Sequence, residues 1–436
     1  MNTKLIAIIA AGIVVVGAAV AVAVTFGGNN SSNDHLDKTG RLLIYGNADN
    51  NDYLDGDDLD LVKDLVKDPS KWDKTKNPYA DTNHDGKIDQ ADADLLQKFV
   101  NKESATMYFV SASGEVDKIT YPLSKNIGCI HMYPIDACIA LGLYEDIKAV
   151  THNVVTNVQW GDKAKYPETH AFTDIGKPQT DPEPALQSGV KTILNHTESD
   201  LSKLETAIEA GHLDVNVVQL NLSLYDPDGP DRNGSMLMLG VMFQVEDKAE
   251  KYVKFMDKIT DEIKGKSLAA KTCLCALYPT AASTEVDVTY DDGTMYGELF
   301  TLSFINVKDA FHPSADIMYP ELEMEEVYNL NPDVIFYVSL SGTNDTVDEG
   351  KAEFKESADF FKETNAYKNK MVFGANYYVL GNVSGIAQLP LICSYLWPND
   401  FDSEKGWNYI QEYYDQFTLY KDVDVKTLAG AQIYTL

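Results

Sequence analysis

Arginine is almost absent from this chain: of 36 basic side chains only Arg41 and Arg232 are arginine, and the rest are lysine. Flat bidentate clamps on carboxylate or phosphate are therefore nearly out of reach. Positive charge as a whole is short. Against those 36 stand 67 Asp and Glu, a formal net charge of −31 at pH 7, which repels nucleic acid and excludes a DNA- or RNA-binding role. Cysteine is sparse and odd in number, five in all, so pairing cannot use every thiol. Cys129 and Cys138 lie nine apart, Cys273 and Cys275 two apart, and Cys393 stands alone. Buried apolar thiols are the expected state, with a Cys129–Cys138 bridge as the alternative. Also missing are a Gly-x-Ser-x-Gly elbow, a zincin histidine pair and a phosphate-binding loop. Nothing here marks an enzyme.

What the chain does have begins at its first residues. Lys4 is followed by an uncharged run from Leu5 to Phe26 and then by the polar stretch GGNNSSND. Such a run, at about 1.5 Å per residue, reaches roughly 33 Å and suffices for a bilayer core. A signal peptide usually has a shorter apolar region of about 7–15 residues. Residues 1–26 are therefore expected to be an uncleaved single-pass anchor in the cell membrane. Secretion after cleavage near Ala21-Val22-Ala23 is the rival reading. Lys4 on the short side and the acidic bulk on the other put the chain after about residue 27 outside. A polar linker is expected over residues 27–43. The remaining composition, 44% hydrophobic, 10% aromatic and 24% charged over 436 residues, is that of a folded protein of two or three domains.

Residues 44–103 carry the most specific local chemistry. The segment Asp81-Thr-Asn83-His-Asp85-Gly86-Lys87-Ile88-Asp89-Gln-Ala-Asp92 sets oxygen side chains at loop positions 1, 3, 5, 9 and 12. Gly86 at position 6 permits the sharp turn, and Lys87 at position 7 offers its backbone carbonyl. That is the pattern of an EF-hand-type calcium loop, because Ca²⁺ takes six to eight hard oxygens. The pattern occurs 34 residues earlier as Asn47, Asp49, Asn51, Tyr53 (carbonyl), Asp55 and Asp58. There Asp52 replaces the turn glycine and Asn47 replaces an acid, so of two expected Ca²⁺ sites the second is the stronger.

Each loop runs into a helical stretch, LDLVKDLVKD and ADLLQKFVNK, with apolar residues at helical spacing. No helix precedes either loop, and position 12 is Asp in both. Loop-then-helix twice, with Asp at position 12, resembles a dockerin module, and the resemblance covers the whole segment. It implies a cohesin-like protein partner. The Ser/Thr pair often found at positions 10 and 11 is here Gly56-Asp57 and Gln90-Ala91, so a calcium-rigidified stalk is the competing use of the same residues.

From Thr106 onward strand-like and helix-like segments alternate. MYFVSASGEVDKITYP predicts a hairpin turning at Ser113-Gly114. IGCIHMY predicts a strand, PIDACIALGL a helix, and IKAVTH, VKTILN, VNVVQLN, KTCLCALY, PDVIFYV and KMVFGAN further strands. Alternation of this kind gives α/β layers with mainly parallel sheets. Between the two groups of strands, QVEDKAEKYVKFMDKITDEIKG places Val245, Ala249, Tyr252, Val253, Met256, Ile259 and Ile263 on one helical face. A helix of about 20 residues spans some 30 Å, enough to brace two lobes.

The order of these features resembles the substrate-binding proteins of ABC importers for iron-siderophore, haem and cobalamin. IGCIHMYPIDACIALGLYEDIKAVTH, DIGKPQTDPEPALQSGVKTIL, MLMLGVMFQVEDKAEKYVKFMDKI and LEMEEVYNLNPDVIFYV carry it, with NAYKNKMVFGANYY and LWPNDF closing the chain. Gly189-Val190, where the family usually has Pro-Asp, and a loop from Val286 to Phe304 depart from it. The resemblance implies an α/β fold of two Rossmann-like lobes, residues 106–243 and 266–436, joined by one long helix at 244–265. The small all-α calcium-binding module and an N-terminal transmembrane helix precede them. It implies no enzymatic activity. The protein would capture a metal-chelate small molecule in the cleft and deliver it to an ABC permease in the membrane. Glu183 and Glu325 match the acidic residues with which the family docks on its permease; each also opens a helix, where a glutamate is favoured anyway.

Cleft residues are expected from loops at strand ends: His131, Tyr133, His152, Trp160, Asn195, His196, Asn221, Tyr225 and Arg232 in the first lobe, and Thr294, Tyr296, Ser339, Tyr377 and Tyr378 in the second. Tyr and Trp give flat apolar faces suited to a macrocycle or siderophore shell, and His131 or Tyr133 suits the open axial position of a haem. Two other functions compete. Five histidines between His131 and His212 are imidazoles that a zinc or manganese receptor would use. A dockerin-bearing polysaccharide hydrolase would need two placed carboxylates, which no motif fixes.

Overall fold

The acidic loops lead straight into helices because each loop ends on its own cap. Helix α1 (Gly56–Lys67) starts after Asp55 and α2 (Gln90–Val100) after Asp89. Asp55 and Asp89 each accept a first-turn backbone N–H, while Asp58 and Asp92 reach back to the cap N–H at 2.9 Å. Two capping boxes result, so Asp at loop position 12 has a structural use besides any cation. The helices bury Leu59, Val62 and Leu65 on one and Ala93, Leu96 and Phe99 on the other.

The computed structural model describes residues 36, 38–152, 154, 172–196, 199–222, 232–277, 283–290, 302, 304–313, 317, 319–339, 346–376 and 385–436. The Leu5–Phe26 run lies outside them. Among the described residues no helix is long and apolar enough to cross a membrane.

Strands β1 (Ala105–Val110) and β2 (Val116–Tyr121) form the expected antiparallel hairpin, with Gly114 in the left-handed region (φ 82°) at its turn. The segment before the first acidic loop joins this hairpin. Tyr45 donates its N–H to the Tyr108 carbonyl, Val110 donates to the Leu43 carbonyl, and Ile44 bridges Phe109. Arg41 and Leu42 are fully buried. The polar linker expected up to residue 43 is thus corrected at its end: Arg41, Leu42 and Leu43 are packed, because Leu42, Leu43 and Ile44 supply apolar side chains to the core.

The first lobe is a parallel sheet in the order β5-β4-β3-β6-β7, comprising β3 (Ile127–Cys129), β4 (Ile147–Val150), β5 (Thr173–Asp174), β6 (Thr192–Asn195) and β7 (Asn216–Gln219). Helices α3 (Met132–Ala140), α4 (Glu183–Gln187) and α5 (Ser202–Ala210) connect them. Then come α6 (Arg232–Met242) and the long helix α7 (Glu246–Lys264). The second lobe holds β8 (Lys271–Leu277), β9 (Glu285–Thr289), β10 (Val307–Asp309), β11 (Glu321–Glu323), α8 (Met324–Leu330), β12 (Val334–Ser339), α9 (Val347–Ala358), α10 (Asn365–Lys368), β13 (Val372–Asn376), α11 (Gly385–Leu396), α12 (Ser403–Phe417) and β14 (Ile433–Thr435). Strands β10, β8, β12 and β13 are parallel, and β9, β11 and β14 pair antiparallel. The loop expected from Val286 to Phe304 is corrected at its start, since Val286 to Thr289 form most of β9. Alternate residues there, Val286 and Val288, are buried, which is what a strand with one covered face requires.

Period-2 burial divides the second sheet between two cores. Cys273, Cys275, Leu277, Val334 and Phe336 face a central core, while Leu274, Ala276, Ile335 and Tyr337 face an outer one. The central core is continuous from the acidic-loop helices through α6, α7, α11 and α12. All five cysteines are buried and free; Cys129 and Cys138 touch as thiols, and burial raises the Cys129 thiol.

Helix α6 passes close to the Arg41 backbone. A Cβ on Gly234 would run into the Arg41 carbonyl oxygen. Gly234→Ala is therefore expected to destabilise the protein by about 1–3 kcal/mol, the usual cost of overpacking a filled site. Urea unfolding of the two proteins side by side checks this, and equal midpoints would contradict it.

Candidate functional site

In the first sheet the chain runs outward from β3 to β4 and β5, then returns to the other side of β3 for β6 and β7. The strand order reverses between β3 and β6, which makes their carboxyl ends a topological switch point, where open α/β sheets form ligand crevices. His131 stands two residues past the end of β3, just before α3, in extended conformation; His196 follows β6. Their rings meet at that point, centroids 4.2 Å apart. Tyr133, in the first turn of α3, packs 4.7 Å from His131 and 4.9 Å from His196. Three flat side chains from two segments more than 60 residues apart in sequence thus form one aromatic cluster.

Burial lowers the pKa of both imidazoles, His131 well below the usual histidine range and His196 to about 4; His196 also acts to lower His131. Both are neutral at physiological pH. A neutral imidazole offers a lone pair to a metal centre, and its neutrality at pH 5–6 keeps that lone pair from protons.

His152 follows β4 and holds a different partner. Its Nδ1 lies 2.6 Å from Oδ2 of Asp174 in β5, both side chains being partly open to solvent. Burial acts to raise Asp174, but hydrogen bonds from His152 and from the Gly176 N–H hold its carboxyl below the usual range. A carboxylate on Nδ1 fixes the orientation of the ring. Asp174 escaped the sequence reading although it stands in the DIGKPQ motif, because nothing in the sequence marks its strand as the neighbour of His152.

The other expected cleft residues divide. Asn195 is buried and donates to Ser199 Oγ at 2.5 Å and to Gln219 Oε1 at 3.1 Å, tying β6 to the end of β7. Arg232 is corrected from cleft rim to core: its side chain is fully buried at the start of α6, where Tyr252 of α7 and Tyr413 of α12 feel both its charge and that of Asp136 in α3. Asn221 lies just past β7 and is partly buried. Ser339 is the last residue of β12, in register with Asn376. Trp160, Tyr225, Thr294, Tyr296, Tyr377 and Tyr378 lie outside the described residues. Glu183 and Glu325 are both exposed in the first turns of α4 and α8.

The two acidic loops are built alike. In each, side chains two residues apart form a ladder: Asn51 N–H to Asp49 and Tyr53 N–H to Asn51 in the first, Asp85 N–H to Asn83 and Lys87 N–H to Asp85 in the second. Asn50 and His84, both at position 4, take left-handed φ of 61° and 54°. Only the second loop has a left-handed glycine at position 6, Gly86, whose N–H donates to Asp81. Among the described residues no group of three or more His, Cys, Asp or Glu would hold a metal by those groups alone. The loops fit a hard cation by mixing carboxylates with amide and carbonyl oxygens. The observation that favours the fit is Asn47. Fully buried, it donates its amide N–H groups to the Leu42 and Asn51 carbonyls, yet its Oδ1 has no hydrogen-bond partner. Burial first, then the charges of Asp49 and Asp55, push the Asp58 carboxyl up to about 7, and burial raises Asp92 as well. A cation would relieve both.

A module that binds another protein commonly presents an apolar patch. Among the described residues the exposed large hydrophobics are Leu213 and Ile317, neither in the loop segment.

The profile of the family described as periplasmic binding protein matches residues 198–377. Comparison with curated proteins gave no match. Several solved structures share the fold. The TroA-like periplasmic binding protein FepB of Veillonella parvula is 14% identical with a TM-score of 0.57, over 76% of this chain and 99% of its own. An ABC transporter solute binding protein of Sulfurospirillum deleyianum is 15% identical with a TM-score of 0.54, over 73% and 98%. The molybdate periplasmic binding protein MolA of Haemophilus influenzae is 16% identical with a TM-score of 0.53, over 72% and 99%. At such identities the likeness is one of fold.

The lowered histidine values carry a sign. A histidine whose folded pKa lies below its unfolded value of about 6.5 contributes stability above that pH and loses it as pH falls toward the folded value. The protein is expected to lose stability between pH 6.5 and about 4 in a part that His131→Phe and His196→Phe remove. Thermal unfolding across that range, wild type against each variant, checks it; parallel curves would contradict it.

Proposed function

We propose that the chain is the extracytoplasmic receptor of an ABC importer, capturing a metal-containing small molecule at the carboxyl ends of β3 and β6 and handing it to a membrane permease without chemistry of its own. The carrying observation is the meeting of neutral His131 and His196 with Tyr133 at the switch point of the first sheet. Flat faces beside imidazole lone pairs suit a chelate that brings most of its own ligands and leaves one or two coordination positions for protein. The family profile and the fold of the solved receptors agree with this role. An iron-siderophore, a haem or a corrinoid meets the description. A bare zinc or manganese ion is the second reading, favoured by the His152–Asp174 pair, an imidazole oriented by a carboxylate.

The exposed Glu183 and Glu325 serve this reading as docking points for basic residues of the permease. The acidic loops serve it as two calcium sites, supported by the orphaned Oδ1 of Asn47 and the matched ladders. In the first site Asn47, Asp49, Asn51, the Tyr53 carbonyl, Asp55 and Asp58 would supply the oxygens. In the second they come from Asp81, Asn83, Asp85, the Lys87 carbonyl, Asp89 and Asp92. Bound calcium would neutralise carboxylates that are otherwise crowded together.

Titration of the full chain with cobalamin, haem and a ferric hydroxamate tests the reading. One of them is expected to bind with Kd below about 10 μM, near 7 kcal/mol, and to weaken at least tenfold in His131→Ala or His196→Ala. Saturation by zinc or manganese with none of the three binding would replace the chelate by the ion. Binding that neither variant changes would remove the switch point from the account.

A further inference from the structure

Helix α7 carries an acidic stripe along the side that meets the loop segment, buried at Asp257 and open to water at its ends, Glu246 and Asp261. Glu246, Glu250, Asp257 and Asp261 are spaced by 4, 7 and 4 residues, which keeps them within about 60° of one another around a helix of 3.6 residues per turn. Each meets a residue from before the hairpin. Lys102 pairs with Glu246 at 3.2 Å, the Tyr53 hydroxyl donates to Glu250 at 2.7 Å, and Lys38 lies 3.0 Å from Asp257 and 3.8 Å from Asp261. Arg41 is the centre of the contact. Its Nη1 donates to both oxygens of Asp257 at 3.0 Å, and its Nε and Nη2 donate to Asp52 at 2.9 and 2.5 Å. The Arg41 and Asp52 side chains are fully buried, so water does not replace either partner.

Asp52 is position 6 of the first loop, where the second loop has Gly86. Its neighbours Asn51 and Tyr53 are cation-facing positions 5 and 7 in the calcium reading. Consecutive residues of this loop therefore grip α7, Asp52 through Arg41 and Tyr53 through Glu250. The corresponding residues of the second loop, Gly86 and Lys87, are exposed. Asp52 is thus not merely a poor turn residue; it exchanges the glycine turn for a buried link.

We propose that the first loop is a cation-operated brace on the inter-lobe helix: a divalent cation with oxygen preference, bound there, fixes Asp52 and Tyr53 and through them stiffens α7. The inference rests on the calcium reading of the loops and adds to it a direction, from loop one to α7 and not from loop two.

Hydrogen exchange of the full chain, read by mass spectrometry in 1 mM CaCl₂ (roughly the weak end of EF-hand affinities) and in excess chelator, tests the brace. Terbium luminescence on the same samples counts occupied sites. Calcium is expected to slow exchange in peptides from 246–264 about tenfold or more. Asp49→Asn in the first loop should abolish that slowing, and Asp85→Asn in the second should leave it. Tyr53→Phe, which keeps the buried Arg41 link and so should fold, should reduce it. Bound cation with slowing confined to residues 47–58 and 81–92 would overturn the brace and leave the calcium sites standing. Equal loss in both loop variants would also overturn it. An absence of bound cation would overturn the calcium reading and the brace together.

Discussion

Arg41, held between Asp52 and Asp257, is the contact on which the arrangement of this molecule turns. Taking three charges out of water is unfavourable unless each is fully partnered, and breaking such a buried pair costs about 3–5 kcal/mol. Here the guanidinium donates to both carboxylates at once, and Lys38 adds a further positive charge at Asp257. The pair therefore specifies a position more than it adds stability. It sets α7 against the acidic-loop segment on one flank. On the other flank Glu262 meets Lys405 and the Tyr409 hydroxyl at 2.6 and 2.7 Å, and Phe255 packs on Phe417 at 5.4 Å. Between the flanks, Ala249, Tyr252, Val253, Met256, Ile259 and Ile263 enter the central core. One helix is thereby gripped on three sides, by three different parts of the chain.

Both arginines of the chain are fully buried, Arg41 paired at the loop segment and Arg232 at the start of α6. Recognition that uses no guanidinium works by shape, aromatic faces and imidazole. The cluster of His131, Tyr133 and His196 has that chemistry, and it stands where the strand order of the first sheet reverses. Fold and site agree because the same reversal that brings β6 beside β3 brings His196 beside His131.

Most of the architecture was legible in the sequence, because strands buried on both faces, such as IKAVTH and PDVIFYV, and the one-sided apolar pattern of α7 are local signals. His131 and His196 were found by the rule that cleft residues follow strands. The rule could not tell which side chains turn inward: Asn195 ties two strands, and Arg232 goes to the core. Asp52, Asp174 and Asp257 were missed for one physical reason. Their roles depend on partners 11, 22 and 216 residues away, and an acidic residue in an acidic chain carries no mark of its partner. The segment before residue 44 looked like linker because its polarity was averaged over 27–43, while burial there belongs to its last few residues.

The central claim is that the acidic-loop segment is a structural part of the two-lobed fold and not a separate tethered module. Differential scanning calorimetry of the full chain with calcium present tests it most directly. One cooperative transition, with calorimetric and van't Hoff enthalpies equal, is the predicted result, since the core runs unbroken from α1 and α2 through α7 to α12. A separate transition for the loop segment, unmoved by Arg41→Met, would contradict it.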